Sequence, residues 1–131
     1  MIKYFENRAL QAKAVAQLYV RSGVDRPITD LARIQTMIHH SNLTITAWDG
    51  DVLAGIARTV TDFGYCCYLA DLVVDSAYQR KGIGRGLITL IQKAIGLEVS
   101  LVLISSPDAT GFYEKLGFSP FSNGYIGKGI L

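Results

Sequence analysis

The hydrophobic positions divide the chain into short apolar stretches that predict strands and longer amphipathic stretches that predict helices. An almost unbroken apolar run at 66–74 has the length and the Val and Tyr content of a strand buried on both faces. Other stretches that predict strands are Ile2–Phe5, Leu43–Trp48, Val52–Val60, Val99–Ile104, Phe118–Phe121 and Tyr125–Ile130. The Asp49-Gly50 pair between two of them is typical of a tight hairpin.

Apolar residues spaced three or four positions apart predict the helices. They recur over 8–21 with Asn7 as the cap, and again up to His40 behind a cap at Thr29 or Asp30. The same spacing returns over 83–95, where Gly96 is placed to end the helix.

Near the C-terminus, Ser105, Ser106 and Pro107 begin a short helix that Gly117 ends. The order of elements predicts one mixed α/β domain over residues 1–131. In that domain the strand at 99–104 lies parallel to the strand at 66–74.

Composition excludes several classes of protein. The chain has 131 residues, and its net charge of +2 does not indicate a nucleic-acid-binding face. No leader pattern is visible and no apolar stretch reaches the roughly 18 residues of a membrane span, so we expect a soluble cytoplasmic protein. Cys66 and Cys67 are adjacent in a predicted strand and are expected to be two buried free thiols. No spacing of Cys, His and Asp indicates a metal site.

The segment between the 66–74 strand and the 83–95 helix is rich in glycine and basic residues. Gly82 and Gly84 carry no side chain, and Arg80, Lys81 and Arg85 add positive charge where the helix begins. That combination predicts a phosphate or pyrophosphate site. The spacing fits neither a P-loop nor a dinucleotide fingerprint, although a nucleotide-binding protein of another fold stays open.

The stretch Gln79-Arg80-Lys81-Gly82-Ile83-Gly84 resembles the Gln/Arg-x-x-Gly-x-Gly/Ala signature of the GCN5-related N-acetyltransferase (GNAT) superfamily. Residues 111–118, Gly-Phe-Tyr-Glu-Lys-Leu-Gly-Phe, resemble its second signature. The resemblance is good over about residues 43–121. It implies a central mixed, mostly antiparallel sheet with a splayed pair of parallel strands, flanked by about four helices.

The resemblance also implies acetyl-CoA as cosubstrate and a set of site residues. The backbone of a bulged central strand would pair with the pantetheine arm, and one N–H near Val73–Val74, assigned to Val73, would face the thioester oxygen. Tyr113 would lie beside the sulfur and protonate the departing thiolate. The residues expected to contact the cosubstrate are Leu72, Val73, Val74, Arg80, Lys81, Gly82, Ile83, Gly84, Arg85, Ser106 and Tyr113.

A general base is also expected, because an alkylamine is mostly protonated at neutral pH. Asp71 lies in the central strand, and partial burial is expected to raise its pKa enough to make it a base. A structural carboxylate is the alternative, and Asp62 and Asp75 are weaker candidates. His39 and His40 fit ordinary positions at the end of a helix.

The predicted activity is acetyl transfer to a primary amine of a small molecule, by direct attack in a ternary complex. A non-catalytic acyl-CoA-binding module and a protein or peptide N-acetyltransferase are the alternatives. The resemblance implies that residues 21–30 line the acceptor site. The apolar stretch Tyr125–Leu131 suggests a homodimer.

Overall fold

The computed structural model describes residues 1–129 of the chain. It contains one sheet of five strands and four α-helices, which agrees with the predicted mixed α/β class. In chain order the elements are β1 (Ile2–Glu6), α1 (Ala12–Ser22), α2 (Leu31–His39), β2 (Leu43–Asp49), β3 (Val52–Thr61), β4 (Cys66–Val74), α3 (Ile83–Ile95), β5 (Ser100–Leu103) and α4 (Thr110–Lys115).

The strands lie side by side in the order β1-β2-β3-β4-β5. The first three pairings are antiparallel, and β4 pairs with β5 in parallel. This arrangement confirms the predicted mixed, mostly antiparallel sheet. The parallel pair needs a crossover, and α3 supplies it, so the loop that precedes α3 lies at the end of β4.

The two faces of the sheet carry separate hydrophobic cores. On one face α3 packs through side chains that are almost fully buried, such as Leu87 and Ile91. On the other face α1 and α2 pack through Leu18, Tyr19 and Ile34, each of which is fully buried. The central strands are therefore covered on both sides over much of their length.

The start of α1 differs from the prediction. Asn7 does not cap a helix: it has a positive φ of 54°, and its side chain accepts a hydrogen bond from the N–H of Thr44 at 2.9 Å. Arg8 lies over the rings of Phe5 and Trp48, at 4.5 and 4.3 Å from their centroids. These contacts hold residues 7–11 against the sheet edge, and the helix begins only at Ala12. In α2, the predicted cap at Asp30 is confirmed, because its side chain accepts from the N–H of Arg33.

The predicted strands Phe118–Phe121 and Tyr125–Ile130 are wrong for the described residues. Residues 118–129 form no strand, and Ile130 lies outside the described residues. The short helix begins at Thr110 rather than at Ser105. In β4, Cys67 is buried as expected, but Cys66 is exposed, and both thiols are free.

Two searches of the described residues gave negative results. Over residues 1–129, no helix is both long and apolar enough to cross a membrane. Within the same range, no three side chains of His, Cys, Asp or Glu are grouped so that they could hold a metal ion.

Candidate active site

A β-bulge interrupts the central strand β4. Arg58 of β3 pairs with Asp71, but the next residue of β3, Thr59, pairs with Leu69. Ala70 is therefore an extra residue in β4, in the manner of a bulge. The bulge that the resemblance implied for the central strand is present.

The bulge changes which face of the sheet each side chain of β4 occupies. Before it, Leu69 packs with the core under α3. After it, Val73 packs under α1 and α2, whereas Leu72 and Val74 are half-buried on the α3 side. The same shift brings Asp71 to the face that α1 and α2 cover, opposite Arg58.

Beyond the bulge, β4 continues past the end of β5. The parallel pairing runs from Cys66–Ser100 to Leu69–Leu103. Within the described chain, residues 70–74 of β4 have no partner on the β5 side. β5 ends at Leu103, so β4 extends beyond it and one edge of β4 is open there.

The hydrogen-bond register shows which backbone groups point to the open edge. The N–H of Asp75 donates to the carbonyl of Ala54 at 2.8 Å. Hydrogen-bonded pairs alternate with non-bonded pairs along an antiparallel ladder, so the N–H and C=O of Val73 also point to β3. Those of Leu72 and Val74 point to the open edge. The N–H of Val73 itself therefore does not face a ligand at that edge, whereas that of Val74, the other residue of the predicted pair, does, as does that of Leu72.

Asp71 lies at the centre of a buried charged cluster. Its Oδ1 accepts from Nε of Arg26 at 2.8 Å, and its Oδ2 accepts from Nε of Arg58 at 2.7 Å and from the Tyr19 hydroxyl. The side chain of Asp71 is fully buried, while those of Arg58 and Arg26 are 10% and 28% exposed. Two guanidiniums and one phenol therefore satisfy both oxygens of a single carboxylate. We call these four side chains the Asp71 cluster.

The expected raised pKa of Asp71 is wrong. Burial alone would raise its pKa, but the hydrogen bond and charge of Arg58, with help from Tyr19 and Arg26, hold that pKa below its ordinary value. Burial and the charge of Asp71 raise the pKa of the Tyr19 phenol, so the phenol stays protonated and donates. The carboxylate is therefore ionised and fully engaged, which fits the structural alternative rather than a general base.

The two weaker candidates for a base are engaged as well. Three backbone N–H groups, those of Tyr65, Cys66 and Gly64, lower the pKa of Asp62 to about 2. Burial would raise the pKa of Asp75, but the N–H of Ala77 and the guanidinium of Arg21 lower it.

The loop between β4 and α3 has an open helix N-terminus. Arg80 and Gly82 both adopt left-handed backbone conformations, with φ of 64° and 81°, which turn the chain sharply into α3. Gly82 is the N-cap and provides no side-chain hydrogen bond, so the first N–H groups of α3 remain available. The side chains of Arg80, Lys81 and Arg85 are exposed around them. Ile83 instead points into the core.

Several contacts fix this loop to the rest of the fold. Arg21 of α1 donates to Asp75 at 2.6 Å, and the Tyr78 hydroxyl donates to Asp49 at 2.6 Å. The amide of Gln79 donates to the outward carbonyl of Val74 at 3.1 Å. The loop is therefore built into the sheet and α1 before any ligand binds.

The neighbouring glycines also allow close packing. A Cβ on Gly84 would lie 3.2 Å from the ring of Phe112, so α4 rests against the first turn of α3. A Cβ on Gly86 would come within 2.6 Å of the Tyr4 hydroxyl. Gly86 thus serves the contact between β1 and α3.

Tyr113 lies beside a cavity next to β5. The cavity has a volume of about 690 Å³ and is bordered by Tyr68, residues 101–105, α4 and the C-terminal segment. Tyr113 also packs edge-on against Phe112 and Phe118, and burial raises the pKa of its phenol. Ser105, rather than the predicted Ser106, lines this cavity.

The structure thus brings together the open edge of β4, the first turn of α3 and the start of α4. Sequence analysis missed the roles of Tyr19, Arg26 and Gln79. An ionisable residue inside the apolar run of β4 was a signal, because a buried carboxylate requires cations. Arg58 lies in the middle of the apolar run of β3 and was the matching cation for that carboxylate.

Comparisons with known proteins agree with this architecture. A family model described as an acetyltransferase (GNAT) domain matches residues 12–131. An uncharacterised N-acetyltransferase of Pyropia yezoensis is 36% identical over 77 residues, which cover 57% of this chain and 44% of that relative. The chain thus spans less than half of the length of that relative.

Solved structures show the same fold. A probable acetyltransferase of Staphylococcus aureus superposes with a TM-score of 0.84 at 24% identity, over 100% of this chain and 99% of the other. An aminoglycoside N-acetyltransferase solved in complex with CoA gives 0.74 at 15% identity, over 98% and 95%.

The open edge of β4, the open helix N-terminus and the crossover through α3 are the features of the acyl-CoA N-acyltransferase class of fold. Within that class, the chain belongs to the GNAT acetyltransferase family.

We expect Asp71→Asn to lower the free energy of unfolding by about 3–5 kcal/mol, because it leaves the nearly buried Arg58 without a counter-charge. The pKa of Asp71 is lowered on folding, so its stabilisation is complete above pH about 4 and is lost as the pH falls through the lower folded value. The difference between parent and variant should therefore shrink on acidification, which urea unfolding at several pH values measures.

Asp51→Asn is the matched control, since Asp51 is exposed in the β2–β3 turn. It should change stability by less than about 0.5 kcal/mol. An Asp71→Asn protein as stable as the parent would contradict a structural role for the cluster.

Proposed function

We propose that the protein is an acetyl-CoA-dependent N-acetyltransferase that transfers the acetyl group to a primary amine of a small molecule by direct attack in a ternary complex. The observation that carries the proposal is the open edge of β4, with the outward backbone groups of Leu72 and Val74, beside the open N-terminus of α3. A ligand that carries amide groups at one end and a pyrophosphate at the other would match the open edge of β4 and the N-terminus of α3.

The cosubstrate would lie along this edge. The first N–H groups of α3 and the cations around them would take the pyrophosphate, with Arg80, Lys81 and Arg85 supplying charge. The pantetheine arm would pair with the outward N–H and C=O of Val74. A pantetheine amide would then replace the side-chain amide of Gln79, which donates to the carbonyl of Val74 in the structure.

The reacting carbonyl of the thioester would lie further along the open edge of β4, near Leu72. Two N–H groups after the bulge, those of Leu72 and Val74, point outward. That of Leu72 is the nearer to the loop between α1 and α2, which we call the acceptor loop. The N–H of Leu72 would stabilise the oxyanion as the amine nitrogen forms its bond to the carbonyl carbon. The oxyanion then reforms the carbonyl as the C–S bond breaks, and the protonated phenol of Tyr113 gives its proton to the thiolate. The nitrogen loses its extra proton to water, and water returns a proton to the phenolate of Tyr113.

Removal of the ammonium proton is assigned to water in the open cleft. Asp71 is held ionised between two guanidiniums, and Asp62 and Asp75 bind backbone N–H groups and Arg21. A carboxylate in such contacts has little basicity left at neutral pH. The acceptor would therefore react as the free amine.

The cytoplasmic setting rests on one observation. The exposed free thiol of Cys66 fits a reducing compartment.

The test is release of the CoA thiol when acetyl-CoA is mixed with a panel of primary amines, together with the mass of the acetylated product. Release that depends on one class of small amine supports the proposal. Binding of CoA with no release above the rate without protein would identify a non-catalytic acyl-CoA module. Acetylation of peptides alone would identify a protein acetyltransferase. Thermal shifts with ATP or NAD, and none with CoA, would contradict both CoA-based readings.

Gly84→Asp is expected to weaken CoA binding by about tenfold or more, because it places a carboxylate where the pyrophosphate would lie. The fold should survive, since an acidic residue in the first turn suits the helix dipole. Isothermal calorimetry with CoA measures the effect.

Gly84→Ala is the control. It brings the same Cβ toward Phe112 without the charge, so affinity should stay within about threefold of the parent. Equal affinities for the parent and the Asp variant would place the pyrophosphate elsewhere.

Tyr113→Phe keeps the ring and its packing and removes the proton. General acid catalysis is worth about 10²–10⁴-fold, and a thiolate is already a fair leaving group. We therefore expect kcat to fall within the lower half of that range, with little change in the KM for acetyl-CoA. Steady-state kinetics with a saturating amine gives both numbers. A kcat within about twofold of the parent would leave Tyr113 as a packing residue.

A homodimer is also proposed. Ile104 beyond the outer strand β5 and the side chains of Phe121, Tyr125 and Ile126 are exposed, which leaves apolar surface beside a free strand edge. Light scattering at micromolar concentration should give about twice the chain mass. A monomer mass there would contradict the dimer.

A further inference from the structure

We infer that Arg26 is a positioning residue for the backbone N–H of Leu72, and so couples the acceptor loop to the groups that stabilise the reacting carbonyl. Its kinetic consequence rests on the proposed function. Its structural consequence, a fixed conformation of β4 at the bulge, does not.

Arg26 uses all three of its nitrogens to join two segments. Nε donates to Oδ1 of Asp71 at 2.8 Å, and Nη2 donates to the carbonyl of Ala70 at 3.1 Å. Nη1 donates to the carbonyl of Asp25, in its own loop, at 2.7 Å. A planar guanidinium holds such partners in fixed relative positions, which a lysine ammonium does not.

The contact with Ala70 falls on the bulge itself. Ala70 is the residue for which β3 has no partner in the register. Ala70 is half-buried and its carbonyl lies outside the regular ladder, and Arg26 supplies a donor to it. Arg26 therefore fixes two consecutive residues, Ala70 and Asp71, directly before Leu72.

The other members of the cluster differ from Arg26 in location. Arg58 lies in β3, Tyr19 in α1, and both are nearly or fully buried. Arg26 instead lies in the loop between α1 and α2 and keeps 28% of its side chain exposed. A molecule that touches this loop can thus act on the same guanidinium that holds β4.

The ion pair between Arg21 and Asp75 does not hold the bulge as Arg26 does. Arg21 binds Asp75 and the carbonyl of Leu53, so it holds the end of β4 and the loop before α3. Arg26 holds the bulge. The two arginines therefore fix opposite ends of the open edge of β4.

The test is Arg26→Lys in the full chain. Lysine keeps the positive charge beside Asp71, so the fold should persist, but one ammonium cannot reproduce the planar bridge to Ala70. We expect kcat to fall by about ten- to a hundredfold at saturating acetyl-CoA and amine, since small displacements of catalytic groups have effects of that size. The CoA dissociation constant should rise by no more than about fivefold, because the variant loosens β4 near Val74 but leaves the loop before α3 held by Arg21.

Arg33→Lys is the matched control. Arg33 is exposed on α2, and its side chain takes part in none of the hydrogen bonds or ion pairs found among residues 1–129. Its replacement should leave kcat and the dissociation constant unchanged.

Hydrogen exchange gives a readout that does not depend on activity. In Arg26→Lys without ligand, amides of residues 67–75 should exchange faster, whereas those of residues 43–49 in β2 should not change. Unchanged exchange in 67–75 would overturn the inference, and so would an active variant whose kcat stays within about twofold of the parent. If the parent itself shows no acetyl transfer, the proposed function fails and the exchange result alone decides whether Arg26 positions β4.

Discussion

The geometry of the site depends on one buried carboxylate. Asp71 enters the core because the bulge at Ala70 turns it toward α1 and α2, and it is stable there because Arg26, Arg58 and Tyr19 satisfy both of its oxygens. A buried charge of this kind is strongly destabilising without its partners. The partners come from a loop, a strand and a helix, so the cluster fixes three elements against the bulge.

The bulge in turn determines which parts of β4 are available to a ligand. It lies next to the point where the parallel pairing with β5 ends, so one edge of β4 is released from the sheet. The register then turns the backbone groups of Leu72 and Val74 outward. The same strand leads into the turn that exposes the first N–H groups of α3. A single distortion therefore aligns the two backbone surfaces on which the proposed binding of acetyl-CoA depends.

Much of this could be predicted from the sequence, because local signals were strong. The hydrophobic periodicity predicted α3, and the Asp49-Gly50 pair predicted the hairpin between β2 and β3. The glycines beside Arg80 and Lys81 predicted the start of α3. The direction of the N–H of Val73 could not be predicted, because it depends on a register that shifts by one residue at the bulge. The pKa of Asp71 depends on its burial and on Arg58 in the facing strand, with smaller contributions from Tyr19 and Arg26, and tertiary packing brings these groups together. The end of the chain was misjudged because apolar residues at 118–129 resemble strands whether or not they pair.

Hydrogen exchange with and without CoA would test the central claim most directly. Binding along the open edge predicts slower exchange in residues 70–74 and 81–86, because their free N–H groups would then donate to the ligand. Exchange in residues 45–49, which pair with strands on both sides, should not change. Protection confined to other segments, or CoA binding with no protection at 70–74, would contradict the account.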